Sequence, residues 1–185
     1  GQAIGDIARL PEAALRALLD QSSVLRESGE ALVSGVPSPR ATGADLEGVV
    51  HEYLGAVTRF EMRRALDLLG SAAAMMPVEP FLTRVVLPIL DEVGMRWSRA
   101  ELGVAQEHVV SAQIQGFLLT LLRRVPAPLA GAPRVLVGTP AGQLHEMGAL
   151  MAAYLSAARG WDTVYVGPDL PIQELALAAD MARAD

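Results

Sequence analysis

The sequence predicts an α/β fold in which a four-helix bundle precedes the first half of a doubly wound parallel sheet. Residues 45–125 repeat apolar side chains at three- and four-residue steps, as packed helices do. Residues 134–185 instead alternate short β-branched runs with helical segments. Linkers rich in proline and glycine at 34–44 and 126–133 separate these regions, so we expect the domain boundaries there.

The composition excludes several classes of function. Hydrophobic residues make up 51% and charged residues 19% of the 185 residues, which indicates a globular protein. Cysteine is absent, which excludes disulfides and thiolate metal sites and favours a cytoplasmic location. All 15 basic residues are arginine, so Schiff-base and P-loop lysines are excluded. The net charge of −6 argues against nucleic-acid binding by this stretch. No apolar run approaches the roughly 20 residues that cross a bilayer, so we expect no membrane partner.

The first two helices of the bundle are predicted from Asp45 onward. Asp45 is a candidate N-cap, and the apolar positions that follow it, among them Tyr53 and Val57, recur at helical spacing. The run 59–64 (RFEMRR) either continues this helix or begins a second one. The helical pattern extends to Leu69 on both interpretations.

Two further helices complete the predicted bundle. Pro77 and Pro80 bracket a break, after which 80–96 is expected to form a helix bent at Pro88. A short polar turn over 98–103 then leads to a long helix over 104–124.

The C-terminal region is predicted to contain two parallel strands, each followed by a helix. Pro and Gly bound each β-branched run, and the connections are short, which is typical of a Rossmann-like or flavodoxin-like sheet. Because two strands do not complete such a sheet, we expect only its first half in this chain. The strands are predicted at 134–138 and 162–167, and the helices at 146–159 and 171–183.

A polar group on the last bundle helix is the main candidate site. Six residues of this helix recur at three- and four-residue steps, so their side chains are expected on one face: Val104, Glu107, His108, Ser111, Gln115 and Leu118. An acid and a histidine there indicate either a satisfied core pair or a ligand pocket, which Trp97 at the preceding helix end would cover.

The spacing of Trp97, nine residues and then Glu107-His108 resembles the signature of the CarH-type adenosylcobalamin-dependent photoreceptor regulators of the MerR family. The segments 59–61 (RFE), 81–90 (FLTRVVLPIL) and 104–111 (VAQEHVVS) resemble the cobalamin-capping bundle of that family. Residues 4–11 (IGDIARLP) are similar to the last part of a MerR-type helix-turn-helix module, so 1–33 are expected to be the end of that module.

The loop after the first strand carries a second resemblance. Residues 143–148 (QLHEMG) are similar to the cobalamin-binding motif D/E-x-H-x-x-G, with Gln143 in place of the acid. The resemblance implies that His145 is the lower axial cobalt ligand, flanked by Leu144 and Glu146, and that Gly148 permits close approach of the cofactor. Gly167, Pro168 and Asp169 resemble a turn after the second strand that flanks the cofactor's nucleotide tail.

The resemblance implies a light-sensing regulator that is not an enzyme and binds adenosylcobalamin between bundle and sheet. Trp97 would stack on the adenosyl group and Glu107 would hydrogen-bond it, beside Val104 and Ser111. His108 would become the upper axial ligand after photolysis. In the family a dark homotetramer binds DNA through the N-terminal module, and light releases it. A corrinoid carrier of a methyltransferase system and a cofactor-free scaffold are the alternatives.

Overall fold

A computed structural model of the chain describes residues 43–143 and 146–184. These described residues form one compact unit. The predicted end of the N-terminal module at 1–33, most of the first linker, and the predicted cofactor residues Leu144 and His145 lie outside the described residues. The predicted boundary between a bundle domain and an α/β domain stays a prediction.

Helices fill the first half of the described chain. In order, they are α1 (Gly43–Thr58), α2 (Met62–Met75), α3 (Val78–Phe81), a π-helical turn (Leu82–Val86), α4 (Leu87–Ser98) and α5 (Val104–Arg124). Because α3, the π turn and α4 follow one another without a break, they act as one long helical segment beside α1, α2 and α5. The predicted four-helix bundle is therefore confirmed.

The turn between α1 and α2 decides the alternative that the sequence left open. Phe60 has a φ of +55°, in the left-handed region that ends a helix. Arg59 bonds Glu61 in an ion pair of 2.8 Å across the turn, so a second helix begins at Met62.

The third helical segment departs from the prediction. It begins at Val78 rather than at Pro80, which lies inside α3. Pro88 has no N–H to donate, and the backbone just before it widens into the π turn, where the Leu87 N–H bonds the Leu82 carbonyl. The irregularity therefore precedes Pro88, which itself lies in the first turn of α4.

The main hydrophobic core lies inside the bundle. Phe81 and Phe117 meet edge to face with ring centroids 6.1 Å apart, a favoured aromatic geometry. The buried Tyr53 hydroxyl donates to Gln113 Oε1 at 3.0 Å, and Gln113 Nε2 donates to the Met62 carbonyl at 2.8 Å. This chain of bonds joins α1, α2 and α5. The largest fully buried side chains of the bundle are Tyr53, Leu69, Phe81, Ile89, Ile114 and Leu118.

The second half of the chain has the predicted strand–helix–strand–helix order. Its elements are β1 (Arg134–Pro140), α6 (Met147–Ala158), β2 (Asp162–Leu170) and α7 (Ile172–Ala182). The two strands pair in parallel, with Arg134 opposite Asp162 and Val137 opposite Tyr165. The predicted mixed fold, mostly helical with a small parallel sheet, is confirmed.

The strand ends differ from the prediction. β2 continues through Leu170, so Gly167, Pro168 and Asp169 lie within the strand and not in a turn after it. The pairing is irregular there, and both Gly167 and Asp169 have positive φ values, of 87° and 60°. Sequence reasoning took the Gly-Pro pair as the end of the strand, whereas pairing with a longer β1 continues it.

The helix α6 connects the sheet to the bundle. It contacts α5 and α3 on one side and both strands on the other. Its buried residues are Leu150, Ala153, Tyr154 and Ala157. At its end, Arg159 pairs with Glu79 of α3 at 2.9 Å. No helix in the described part of the chain is long and apolar enough to span a membrane.

Candidate functional site

A cavity of about 430 Å³ lies where α5 meets the start of α6. Its volume is in the range of sites for small organic ligands. The lining residues are Glu107, His108, Ser111, Ala112, Gln115, Glu146 and Met147. The last bundle helix and the segment after the loop that resembles the cobalamin-binding motif thus both contribute to the site.

The periodicity of α5 places four polar residues on this cavity, as predicted. Glu107, His108, Ser111 and Gln115 all line it. Of the two apolar residues expected on the same face, Leu118 is fully buried in the bundle, while Val104 is 62% exposed at the first position of α5. Neither is among the lining residues, because the face turns from solvent to core along the helix.

Glu107 fixes the proton of His108. The His108 Nδ1–H donates to Glu107 Oε2 at 2.7 Å, because a carboxylate only accepts. The Ser111 hydroxyl donates to Glu107 Oε1 at 2.7 Å. These two bonds hold the pKa of the Glu107 carboxyl below its ordinary value, and the bond from His108 has the larger effect. A neutral His108 therefore carries its lone pair on Nε2, the form that a metal ion binds.

The His108 ring is open to incoming groups. Its side chain is 77% exposed, against 29% for Glu107. Among the described residues the ring bonds only through Nδ1. This exposure argues against a satisfied core pair, since a core histidine would be buried.

Trp97 lies at the end of α4, just before the turn that leads into α5. It is the penultimate residue of α4 and is 53% exposed, and it is not among the residues that line the cavity. Val104, also exposed, follows it after the short turn of 99–103. The expected covering role of Trp97 stays a prediction.

Glu146 connects the two sides of the site. Gln115 Nε2 donates a hydrogen bond to Glu146 Oε1, and the Tyr165 hydroxyl donates to Glu146 Oε2 at 2.6 Å. Burial, and then the bond to Glu146, raises the pKa of Tyr165 above its ordinary value. The sequence did not single out Tyr165, although a phenol on a half-buried strand signals the need for a polar partner.

The loop after β1 is held against the end of β2. The Gly142 N–H donates to Asp169 Oδ1 at 2.8 Å, and the Asp169 N–H donates to Thr139 Oγ1 at 3.3 Å. The Thr139 hydroxyl in turn donates to the Gln143 carbonyl at 2.6 Å. Asp169 thus holds the backbone of this loop in place, a role that its sequence context alone did not indicate.

Gly148 is the second residue of α6, and among the described residues outside its own helix no atom would lie within 4 Å of an added Cβ. Its backbone is helical, so the fold itself does not require glycine there. Glycine in a helix costs about 0.5–1 kcal/mol relative to alanine. Open space at the start of α6, whose first residue Met147 lines the same cavity as His108, fits a large ligand that approaches the backbone closely.

Other grooves on the bundle are larger but lie away from this chemistry. One of about 770 Å³ runs between α1 and α4 and includes His51. Another of about 910 Å³ runs between α2 and α5. None of the predicted site residues lines either groove. Among the described residues, no cluster of three or more His, Asp or Glu residues is arranged to hold a metal ion.

Comparisons with known proteins identify the class of the protein. Residues 49–121, from α1 into α5, match the family model of a B12 binding domain. The chain thus carries a cobalamin-binding domain, and the exposed lone pair of His108 and the open space at Gly148 fit such a cofactor.

Similar full-length proteins refine this class. The chain is 30% identical to the HTH-type transcriptional repressor CarH of Myxococcus xanthus over 161 residues, 87% of this chain and 53% of that protein. It is 33% identical to the repressor CarA of the same organism over 132 residues, 71% of this chain and 43% of that protein. The described region is a B12-binding region of the CarH type.

A relative of another kind is also similar. Dimethylamine corrinoid protein 3 of Methanosarcina acetivorans is 26% identical over 147 residues, 77% of this chain and 67% of that protein. The chain spans about half the length of the CarH relative and 43% of the CarA relative.

Proposed function

We propose that this chain is the sensory region of a transcriptional regulator that binds adenosylcobalamin and responds to light. The observation that carries the proposal is the Ser111–Glu107–His108 arrangement, which leaves an exposed imidazole lone pair beside the start of α6. Its position in a B12-binding region similar to CarH and CarA supports a regulator.

Residues on the two sides of the site would contact different parts of the cofactor. His145 would hold cobalt from below, and Gly148 would let the cofactor pass close to α6. Glu107 would hydrogen-bond the upper substituent, beside Trp97. When bound, adenosylcobalamin supplies a cobalt–carbon bond that light breaks.

His108 is then prepared for the state that follows illumination. Glu107 keeps the proton on Nδ1, and the lone pair on Nε2 is free to ligate cobalt. This second ligand would favour a different position of the bundle relative to α6, and such differential affinity is what a switch requires.

We also propose the output of this switch. A homotetramer forms in the dark and binds DNA through a helix-turn-helix module, of which residues 1–33 are predicted to be only the end. Illumination dissociates the tetramer, and a cytoplasmic location follows from the regulatory role. The protein itself performs no catalysis in this scheme.

A methylcobalamin carrier of a methyltransferase system is the second candidate. The similarity to a dimethylamine corrinoid protein, which the chain covers to 67%, favours it. A carrier has no need for a histidine poised at the upper face. The behaviour of His108 therefore separates the two candidates.

The test is an absorption spectrum of the chain mixed with adenosylcobalamin in the dark and after green light, with size-exclusion chromatography of both samples. We expect a histidine-ligated spectrum in the dark, a light-induced change, and a change in elution. His108→Ala should bind in the dark and lack the normal light product. His51→Ala, on α1, is the matched control and should behave as wild type.

Two outcomes would count against the proposal. Stable methylcobalamin binding without a light-dependent change in assembly would favour the carrier. Free-cofactor spectra in all samples would remove the sensor function from this chain.

A further inference from the structure

Glu146 has both carboxylate oxygens engaged by the protein itself. Gln115 of the bundle donates to Oε1, and Tyr165 of the sheet donates to Oε2 at 2.6 Å. Bonds from two donors to one charged carboxylate are among the stronger polar contacts in proteins. Each carboxylate oxygen of Glu146 therefore already has a hydrogen-bond donor from the protein, although Glu146 lines the cavity.

Because of the position of Glu146, these bonds connect three elements of the fold. It is the N-cap residue of α6, and its carbonyl accepts the Leu150 N–H at 2.9 Å. One side chain thus joins α5, α6 and β2. The hydrogen-bonded group Gln115–Glu146–Tyr165, here called the clamp, lies at the cavity end of α6.

The segment that precedes the motif-bearing loop is also held to the sheet by hydrogen bonds. Thr139 holds the Gln143 carbonyl and Asp169 holds the Gly142 N–H. The two residues that flank Leu144 and His145 in the sequence, Gln143 and Glu146, are therefore both tied to the sheet by direct hydrogen bonds.

We propose that Glu146 is a positioning residue, which through the clamp sets the spacing between the Glu107–His108 face of the bundle and the sheet that carries the ligand loop. The inference rests on the cobalamin site of the proposed function and assigns to Glu146 a role other than direct cofactor contact. Partners behind metal ligands commonly contribute about 10- to 100-fold to metal affinity.

A measurement without cofactor tests the spacing itself. The chain has no cysteine, so two introduced cysteines are the only labelling sites. Arg63→Cys on α2 and Gln173→Cys on α7 are exposed positions on the bundle and beyond the sheet. Spin-label distances between them should form one narrow distribution, which broadens with Tyr165→Phe and broadens further with Glu146→Ala. An unchanged distribution would overturn the proposal.

The control is the contact at the opposite end of α6. Arg159→Gln breaks the ion pair with Glu79, which also joins α6 to the bundle but lies away from the cavity. The free energy of unfolding of each variant, measured with urea, corrects for a general loss of stability. If Arg159→Gln broadens the distance distribution as much as Tyr165→Phe does, the clamp has no special role.

A cobalamin titration then links the clamp to the site. Tyr165→Phe should weaken cobalamin binding about tenfold and reduce the histidine-ligated fraction in the spectrum, whereas Arg159→Gln should change neither. Glu146→Gln, which keeps one acceptor oxygen, should fall between wild type and Glu146→Ala. Equal affinity of wild type and Tyr165→Phe would overturn the positioning role. If wild type takes up no cobalamin while the distances still broaden, the proposed function fails and the clamp remains a spacer.

Discussion

Replacing Gly148 with alanine should stabilise the protein and weaken its cofactor binding. Among the described residues outside the helix itself, no atom lies within 4 Å of the added methyl group, and the backbone is helical, so this part of the chain accepts alanine without strain. Alanine is favoured over glycine in a helix by about 0.5–1 kcal/mol. Because Gly148 is only the second residue of α6, we expect a gain near the lower limit.

The bound state should respond in the opposite direction. A methyl group forced into a filled site costs about 1–3 kcal/mol, which corresponds to a loss of affinity of roughly 5- to 150-fold. Urea unfolding of the cofactor-free chain measures the first effect, and a spectroscopic cobalamin titration measures the second. The opposite signs of the two effects are specific to a glycine that is kept for a ligand.

Gly70→Ala is the matched control. Gly70 lies inside α2, where the described residues outside its own helix also leave an added Cβ without a contact within 4 Å, and α2 contributes no lining residue to the cavity at α5 and α6. It should give the gain in stability with unchanged affinity. If Gly148→Ala binds cobalamin as tightly as wild type, the open space at the start of α6 is not part of the cofactor site.

Three further substitutions probe the sheet, the core and the switch. Gly138→Ala should lower the free energy of unfolding by about 1–3 kcal/mol in a urea titration, because the added Cβ would lie 2.7 Å from Val166 Cγ2 and 2.8 Å from the Gly167 carbonyl oxygen. Burial raises the pKa of Tyr53, so its neutral phenol stabilises the fold below the ordinary pKa of about 10, and this contribution falls as pH rises above that value. Unfolding measured across alkaline pH should therefore depend less steeply on pH in Tyr53→Phe, and an identical slope would contradict the assignment. Trp97→Ala should still bind cobalamin but no longer couple binding to assembly; a variant that elutes like wild type in the dark and after light would count against the switch.

Much of the fold follows from local pattern. The apolar positions of α1 match its buried face, with Leu46, Tyr53, Leu54 and Val57 all buried. The start of α5 at Val104 and the starts of both strands at Arg134 and Asp162 agree with the prediction. These signals depend on residues that are near in sequence, so they are readable before the chain folds.

The errors arise where distant segments decide. The π turn before Pro88 reflects how the helix packs while it accommodates a missing donor. The length of β2 depends on its pairing with β1, which carries the strand past Gly167 to Leu170. Neither pairing partners nor packing are visible in a window of ten residues.

The candidate site divides in the same way. Local spacing predicts that Glu107, His108, Ser111 and Gln115 share a helix face, because residues three and four apart lie together on a helix. The position of Glu146 beside that face depends on how the chain folds. Contacts across 31 residues to Gln115 and 19 residues to Tyr165 form when α6 packs between bundle and sheet, and no local pattern encodes them.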